Sequence, residues 1–186
     1  MSNDNQGSAI GRNDPFTMSM LMTPDLANFS GKVHGGALLK LLDQVAYTCA
    51  SSFCGHYVVT LSVDQVQFLQ PIHVGQLVTF RARINFVGRT SMEVGIRVES
   101  ENIQTGEKRH TNTCYFTMVA MDDEGQTVAA PKLALDSQEE KGRYVAAKLR
   151  KEIRHENARK LKAIHEKWSH NANEIDDEEF EKYLNS

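Results

Sequence analysis

Between residues 77 and 121 the chain changes side-chain character at every second residue, and few backbones can accommodate that. Val78, Phe80, Ala82, Ile84 and Phe86 alternate with Thr79, Arg81, Arg83 and Asn85. Met92, Val94, Ile96 and Val98 alternate with Glu93, Gly95, Arg97 and Glu99. Near Arg109 to Met121, Asn112, Cys114, Phe116 and Met118 alternate with Thr111, Thr113, Tyr115, Thr117 and Val119. A period of two belongs to extended strands, whose neighbouring side chains point to opposite faces. Joined by turns at Gly88–Thr90 and 102–107, these strands predict an antiparallel sheet with one face to bury.

The apolar object that can cover that face is a helix. Residues 35–53 place Leu38, Leu41, Leu42, Val45, Cys49 and Phe53 on one wide apolar side. Gly55 ends the helix. Upstream lies a glycine-punctuated loop, Asn28–Gly36, and before it a short first strand, Phe16–Met22, broken by Thr23-Pro24-Asp25. After the helix, Tyr57–Val63 continues extended towards Leu69, and Pro71–Gly75 turns. Strand, helix, then four strands predicts an α+β domain with a sheet curled around a central helix.

The flanks differ. Residues 1–15 read as a disordered lead-in, and 132–170 as a basic amphipathic extension of one or two helices. Val145, Leu149, Ile153, Leu161, Ile164 and Trp168 give that extension its apolar stripe, and residues 137–170 hold ten Lys/Arg against five Asp/Glu. Residues 171–186 hold six acids and one lysine and read as a solvated acidic tail. The net charge of −3 argues against nucleic acid as a partner. No apolar run approaches the ~20 residues of a membrane span. The start of the chain lacks a signal-peptide pattern, so a cytoplasmic location is expected. Three cysteines without paired spacing, Cys49, Cys54 and Cys114, read as reduced thiols.

The chemistry on offer gathers at the loop and helix. Free N–H groups at the helix start, reached closely past Gly35 and Gly36, can hold a developing oxyanion; the same glycines can equally serve a tight loop. Asp43 lies about 100° from the middle of the apolar face, beside Leu39, Ala46 and Ala50. Small neighbours permit close approach by another element. Asp43 is either a base or nucleophile, or a structural carboxylate that caps a loop or meets Arg81 or Arg83. Asn28 can orient a water or carbonyl, and His34 is a base or a structural loop residue. Arg89-Thr90-Ser91 offers a cation and two hydroxyls to a phosphate. There is no Gly-x-Ser-x-Gly elbow, and His155, His165 and His170 lack the partners of a zinc site, so no metal is expected.

Taken together, Asn28-x-x-Gly31-x-x-His34-Gly35-Gly36, Leu42-Asp43-x-x-Ala46, Val63-Asp64-x-x-x-Phe68-x-x-Pro71-Ile72, Val87–Met92 and Asn112–Phe116 resemble the hotdog-fold acyl-CoA thioesterases. The similarity is greatest to the branch of YciA-like and brain-type cytosolic acyl-CoA hydrolases, over about residues 16–131. It implies a hotdog domain over 16–131 that hydrolyses acyl-CoA to free acid and CoA, with no cofactor beyond the CoA of the substrate. It implies Asn28 and Asp43 as partners in catalysis, facing each other across a homodimer that assembles further as a trimer of dimers. It implies the backbone at Gly36 as oxyanion hole and Arg89, Thr90 and Ser91 beside the CoA nucleotide. Two other readings stay open: a hotdog hydratase or dehydratase using His34 with a carboxylate, and a non-catalytic acyl-CoA sensor. The acyl group itself is not legible.

Overall fold

The computed structural model describes residues 10–64 and 66–170, with Glu181 and Leu184. Its elements in order are β1 (Phe16–Leu21), a 3-10 turn at Pro24–Leu26, α1 (Gly35–Cys54), β2 (Tyr57–Val63), β3 (Leu77–Val87), β4 (Ser91–Glu101), β5 (Lys108–Met121) and α2 (Gln138–His170). The five strands form one antiparallel sheet in the order β1-β3-β4-β5-β2. The strand that follows the helix in sequence thus returns to an edge, and β1 takes the other.

The expected face is the buried one. Leu42, Val45, Ala46 and Ala50 of α1 are fully buried, as are Val78, Phe80, Ala82, Val94, Ile96, Val98 and Met118 of the sheet, in one continuous core. Each such Leu, Val or Ile side chain contributes about 1.5–3 kcal/mol, so α1 is the central element and not an appendage. Gly55 closes it in the left-handed region, φ 71°, where a side chain would be strained.

Several details depart from the alternation. A bulge between Ile84 and Phe86 turns Phe86 off the inner face, and its ring stacks on Tyr144 with centroids 5.1 Å apart. The same bulge brings Asn85 opposite Glu93 on the outer face, both buried, with Asn85 Nδ2 donating to Glu93 Oε1 at 3.2 Å. Gly95 must lack a side chain there, because a Cβ would overlap the Asn85 amide. Residues past Val63 do not continue as strand. Among the described residues up to Leu69 the segment is irregular, tied to β5 by Asp64 N–H to Tyr115 O and Leu69 N–H to Thr111 O. Asn13, within the stretch read as disordered, clamps β3: its Nδ2 donates to Ile84 O at 3.0 Å and its Oδ1 accepts from Ile84 N–H at 3.1 Å. Gly11 N–H donates to Phe53 O. Residues 1–9 lie outside the described residues, as does the acidic tail apart from Glu181 and Leu184.

By internal contacts the chain divides into two compact units, Met1–Tyr144 and Val145–Ser186. In the first, the C-terminal extension begins with a capping box: Glu140 N–H donates to Ser137 Oγ, and Glu140 Oε2 accepts from Ser137 N–H. Those bonds, Ser137 first, hold the Glu140 carboxyl below its ordinary range, and Arg83 approaches it at 3.7 Å. The second unit carries the rest of α2, a single helix, with Val145, Leu149, Ile153 and Leu161 exposed along it. No helix among the described residues is long and apolar enough to cross a membrane.

Candidate active site

The loop before α1 is shaped by its own polar groups. Asn28 Oδ1 accepts from Ser30 N–H (2.9 Å), Ser30 Oγ (2.8 Å) and Lys32 N–H (3.2 Å). That closes an Asx turn, with Gly31 at φ 73° completing it. The carbonyl of Asn28 is therefore spent on the loop. What its half-buried side chain retains is Nδ2, a donor.

His34 is the N-cap of α1, and its Nδ1 accepts from Gly36 N–H at 3.0 Å. A neutral imidazole that accepts at Nδ1 carries its proton on Nε2. The Gly36 N–H, expected to be open to a ligand, is thus already bonded. The helix-start N–H groups with no acceptor among the described residues are those of Gly35 and Ala37. His34 is exposed and holds the loop–helix junction.

Asp43 is exposed on the flank of α1, and its partner is neither Arg81 nor Arg83. Those guanidiniums turn to Glu99 (3.4 Å) and Glu140 (3.7 Å) instead. Thr60 Oγ1 donates to Asp43 Oδ1 at 2.6 Å. Thr60 is a candidate site residue that sequence reasoning missed. The signal was a hydroxyl inside the apolar run Tyr57–Val63, on the strand that flanks the helix. The small flank of Asp43 is occupied within the chain itself: Ala46 and Ala50 are fully buried in its own core. The exposed large apolar residues near Asp43 are Leu39 and Tyr47 on α1 and Leu61 on β2.

Arg89 and Thr90 lie in the β3–β4 turn, and Ser91 opens β4. Their backbones are fixed by Ala130 N–H to Arg89 O, Ala120 N–H to Thr90 O and Gly88 N–H to Ser91 O. Arg89 is exposed and has no ion-pair partner among the described residues. The thiols are unsuited to nucleophilic work: burial pushes Cys49 and Cys114 up to about 12 and raises Cys54 as well. Among the described residues no group of His, Cys, Asp and Glu could hold a metal ion.

One chain does not bring the pieces together. Gly36 and Asp43 are seven residues apart on one helix, about 10 Å along its axis. A thioester carbon held at the helix start is out of hydrogen-bond reach of the same chain's Asp43.

Comparison with known proteins completes the picture. The sequence profile of the Thioesterase superfamily matches residues 30–107. The chain is 53% identical over 137 residues to protein VdlD of Helicobacter pylori, spanning 74% of this chain and 78% of that protein. A solved apo-hexameric acyl-CoA thioesterase superposes with a TM-score of 0.75 at 35% identity, covering 77% of this chain and 92% of its own. An acyl-CoA hydrolase from Staphylococcus aureus, in complex with butyryl coenzyme A, coenzyme A and coenzyme A disulfide, gives a TM-score of 0.75 at 28% identity, covering 83% and 94%. Structures of that hydrolase with Asn28, Asp43 or Thr60 changed to alanine match too. The three residue types and numbers coincide with those of this chain.

Proposed function

The chain belongs to the thioesterase superfamily and has its hotdog fold, and from that premise we propose that it hydrolyses acyl-CoA to free acid and CoA. The observation that carries the proposal is Asp43: an exposed carboxylate beside the central helix, held at 2.6 Å by Thr60, with no cation among the described residues to neutralise it. Such a group is poised to take a proton from water or to attack a carbonyl carbon.

In the reaction, water oxygen bonds to the thioester carbon as Asp43 takes a proton from it. The C–S bond then breaks, and the CoA thiolate leaves and is protonated. If Asp43 attacks directly, the acyl group passes first to its carboxylate and then to water, with the same products. Asn28 offers Nδ2–H to the carbonyl or the water. The N–H groups at the start of α1, Gly36 once its bond to His34 is released, hold the oxyanion. Arg89, Thr90 and Ser91 meet the CoA nucleotide or its phosphates. The site needs no cofactor or metal.

The 10 Å gap between helix start and Asp43 is bridged by a second copy. We place Asn28 and Gly36 of one protomer opposite Asp43 and Thr60 of its partner in a homodimer. The exposed Leu39, Tyr47, Tyr57 and Leu61, on α1 and the edge strand β2, give such a dimer an apolar contact. A trimer of dimers accords with the hexameric thioesterase it resembles. A hydratase would need His34 beside a carboxylate; its Nδ1 caps α1 instead.

The test is thiol release from acyl-CoA. Asp43→Asn and Asn28→Ala should each cut turnover at least tenfold, about 1.4 kcal/mol or more in the barrier, with circular dichroism unchanged. Near-native hydrolysis by Asp43→Asn would sink the proposal.

A further inference from the structure

We infer that Asn112 is the polar floor of the acyl-binding cleft and favours short or oxygen-bearing acyl groups over long alkyl chains; this rests on the thioesterase reading above. Asn112 is fully buried, yet neither Nδ2 nor Oδ1 has a hydrogen-bond partner among the described residues. A buried amide left unbonded is costly, and a leucine, branched at Cγ in the same way but wholly apolar, would avoid that cost. An unbonded carboxamide in an otherwise apolar core therefore marks a place where an oxygen from outside the chain belongs.

The register shows where that place is. Asn112 pairs with Val98 and shares the inner face of β5 with Cys114, Phe116 and Met118, the face that α1 covers. Its neighbour Thr111 accepts from Leu69 N–H at 3.0 Å. Next to Leu69, the Phe68 ring lies 3.7 Å from where a Cβ on Gly35 would be. Asn112 thus sits at the end of β5 that approaches the first turn of α1, where the Gly35 and Ala37 N–H groups also lack acceptors among the described residues. Helix-start donors and a buried amide are thus linked through Phe68 and Leu69, an arrangement of a few polar groups among apolar ones that suits a pocket orienting a ligand.

Entry runs past residues 66–70, the irregular stretch in which Phe68 and Leu69 are 49% and 56% exposed. Displacing the Phe68 ring opens the way from the helix start to Asn112. An acyl group held by its carbonyl at the helix start extends towards the amide. The oxygen that satisfies Asn112 comes from one of two sources: a water retained beyond a short acyl chain, or a hydroxyl or keto group on the acyl chain itself. A long alkyl chain supplies neither and leaves the amide stripped.

The experiment measures kcat/KM of the full chain with butyryl-CoA, 3-hydroxybutyryl-CoA and dodecanoyl-CoA. Native protein should favour the first two, and Asn112→Leu should raise the dodecanoyl-to-butyryl ratio at least tenfold. An equal loss for butyryl and 3-hydroxybutyryl assigns the oxygen to water; a larger loss for 3-hydroxybutyryl assigns it to the acyl group. A ratio within twofold of native in folded Asn112→Leu overturns the inference. Should that variant not fold, Asn112→Ser is read by the same criterion. Native protein that releases thiol from none of the three fails the thioesterase reading instead. The inference is then decided by the same ratio taken from acyl-CoA dissociation constants.

Discussion

A single hydroxyl tests how the proposed site is held. Thr60→Val keeps the shape of the side chain and removes the donor to Asp43, so turnover should fall roughly tenfold, the scale of one charge-assisted hydrogen bond at an exposed site. KM should change little, since Thr60 sits behind the carboxylate. Asp43 itself was legible in the sequence, a lone carboxylate bordering an apolar helix face. Thr60 was not, because it lies 17 residues away inside a strand whose register the sequence does not announce. The loss of Gly36 N–H to His34 was likewise hidden, since whether a loop histidine turns inward depends on the geometry of the cap. The thiols give a separate expectation. With Cys49 and Cys114 held at about 12 against an ordinary 9.0, iodoacetamide at pH 8 should leave both unlabelled in native protein and modify both in denaturant, as read by intact mass. Raised native values mean these thiols cost no stability below about pH 9, and that stability declines as pH climbs from there.

At the scale of elements, α1 and strands β3 to β5 follow from period and turn residues alone, since burial on one side leaves the chain little choice of register. The departures share one cause. A bulge adds one residue without interrupting the alternation of residue types, so Phe86 looked like an inner-face residue and is not. What the bulge gains is the buried Asn85–Glu93 bond, and Gly95 is its complement. Gly95→Ala should cost about 1–3 kcal/mol by overpacking against that amide, read as a lower urea midpoint. A shift of less than a few tenths would mean that Asn85 can move aside at no cost. The irregular segment after Val63 escaped for the opposite reason: its apolar residues suggest strand, but they bond the sheet only at isolated points.

For the whole molecule, the residues themselves described one subunit, and a companion was implied only by the family resemblance. The exposed apolar residues assigned to the proposed dimer contact, Tyr57 and Leu61 on β2 with Leu39 and Tyr47 on α1, are indistinguishable in sequence from core residues. A shared site makes a sharp prediction. Asn28→Ala and Asp43→Asn chains are each inactive as homodimers, but a mixed dimer holds one site with both native residues. Mixing after mild dissociation should restore up to about a quarter of native activity, from half the dimers being mixed with one good site each; no recovery despite subunit exchange by native mass spectrometry would place both residues in one chain. The N-terminal clamp bears on handling. The side chain of Asn13 does for Ile84 what another strand residue would do, so the opening stretch is not spare length. A protease or a designer who cuts before Ile10 leaves that strut standing. A cut before Phe16 strips the two Asn13 side-chain bonds from the Ile84 backbone at the bulge and removes the Gly11 bond to Phe53 at the C-terminal end of α1, turning a cosmetic trim into a structural deletion.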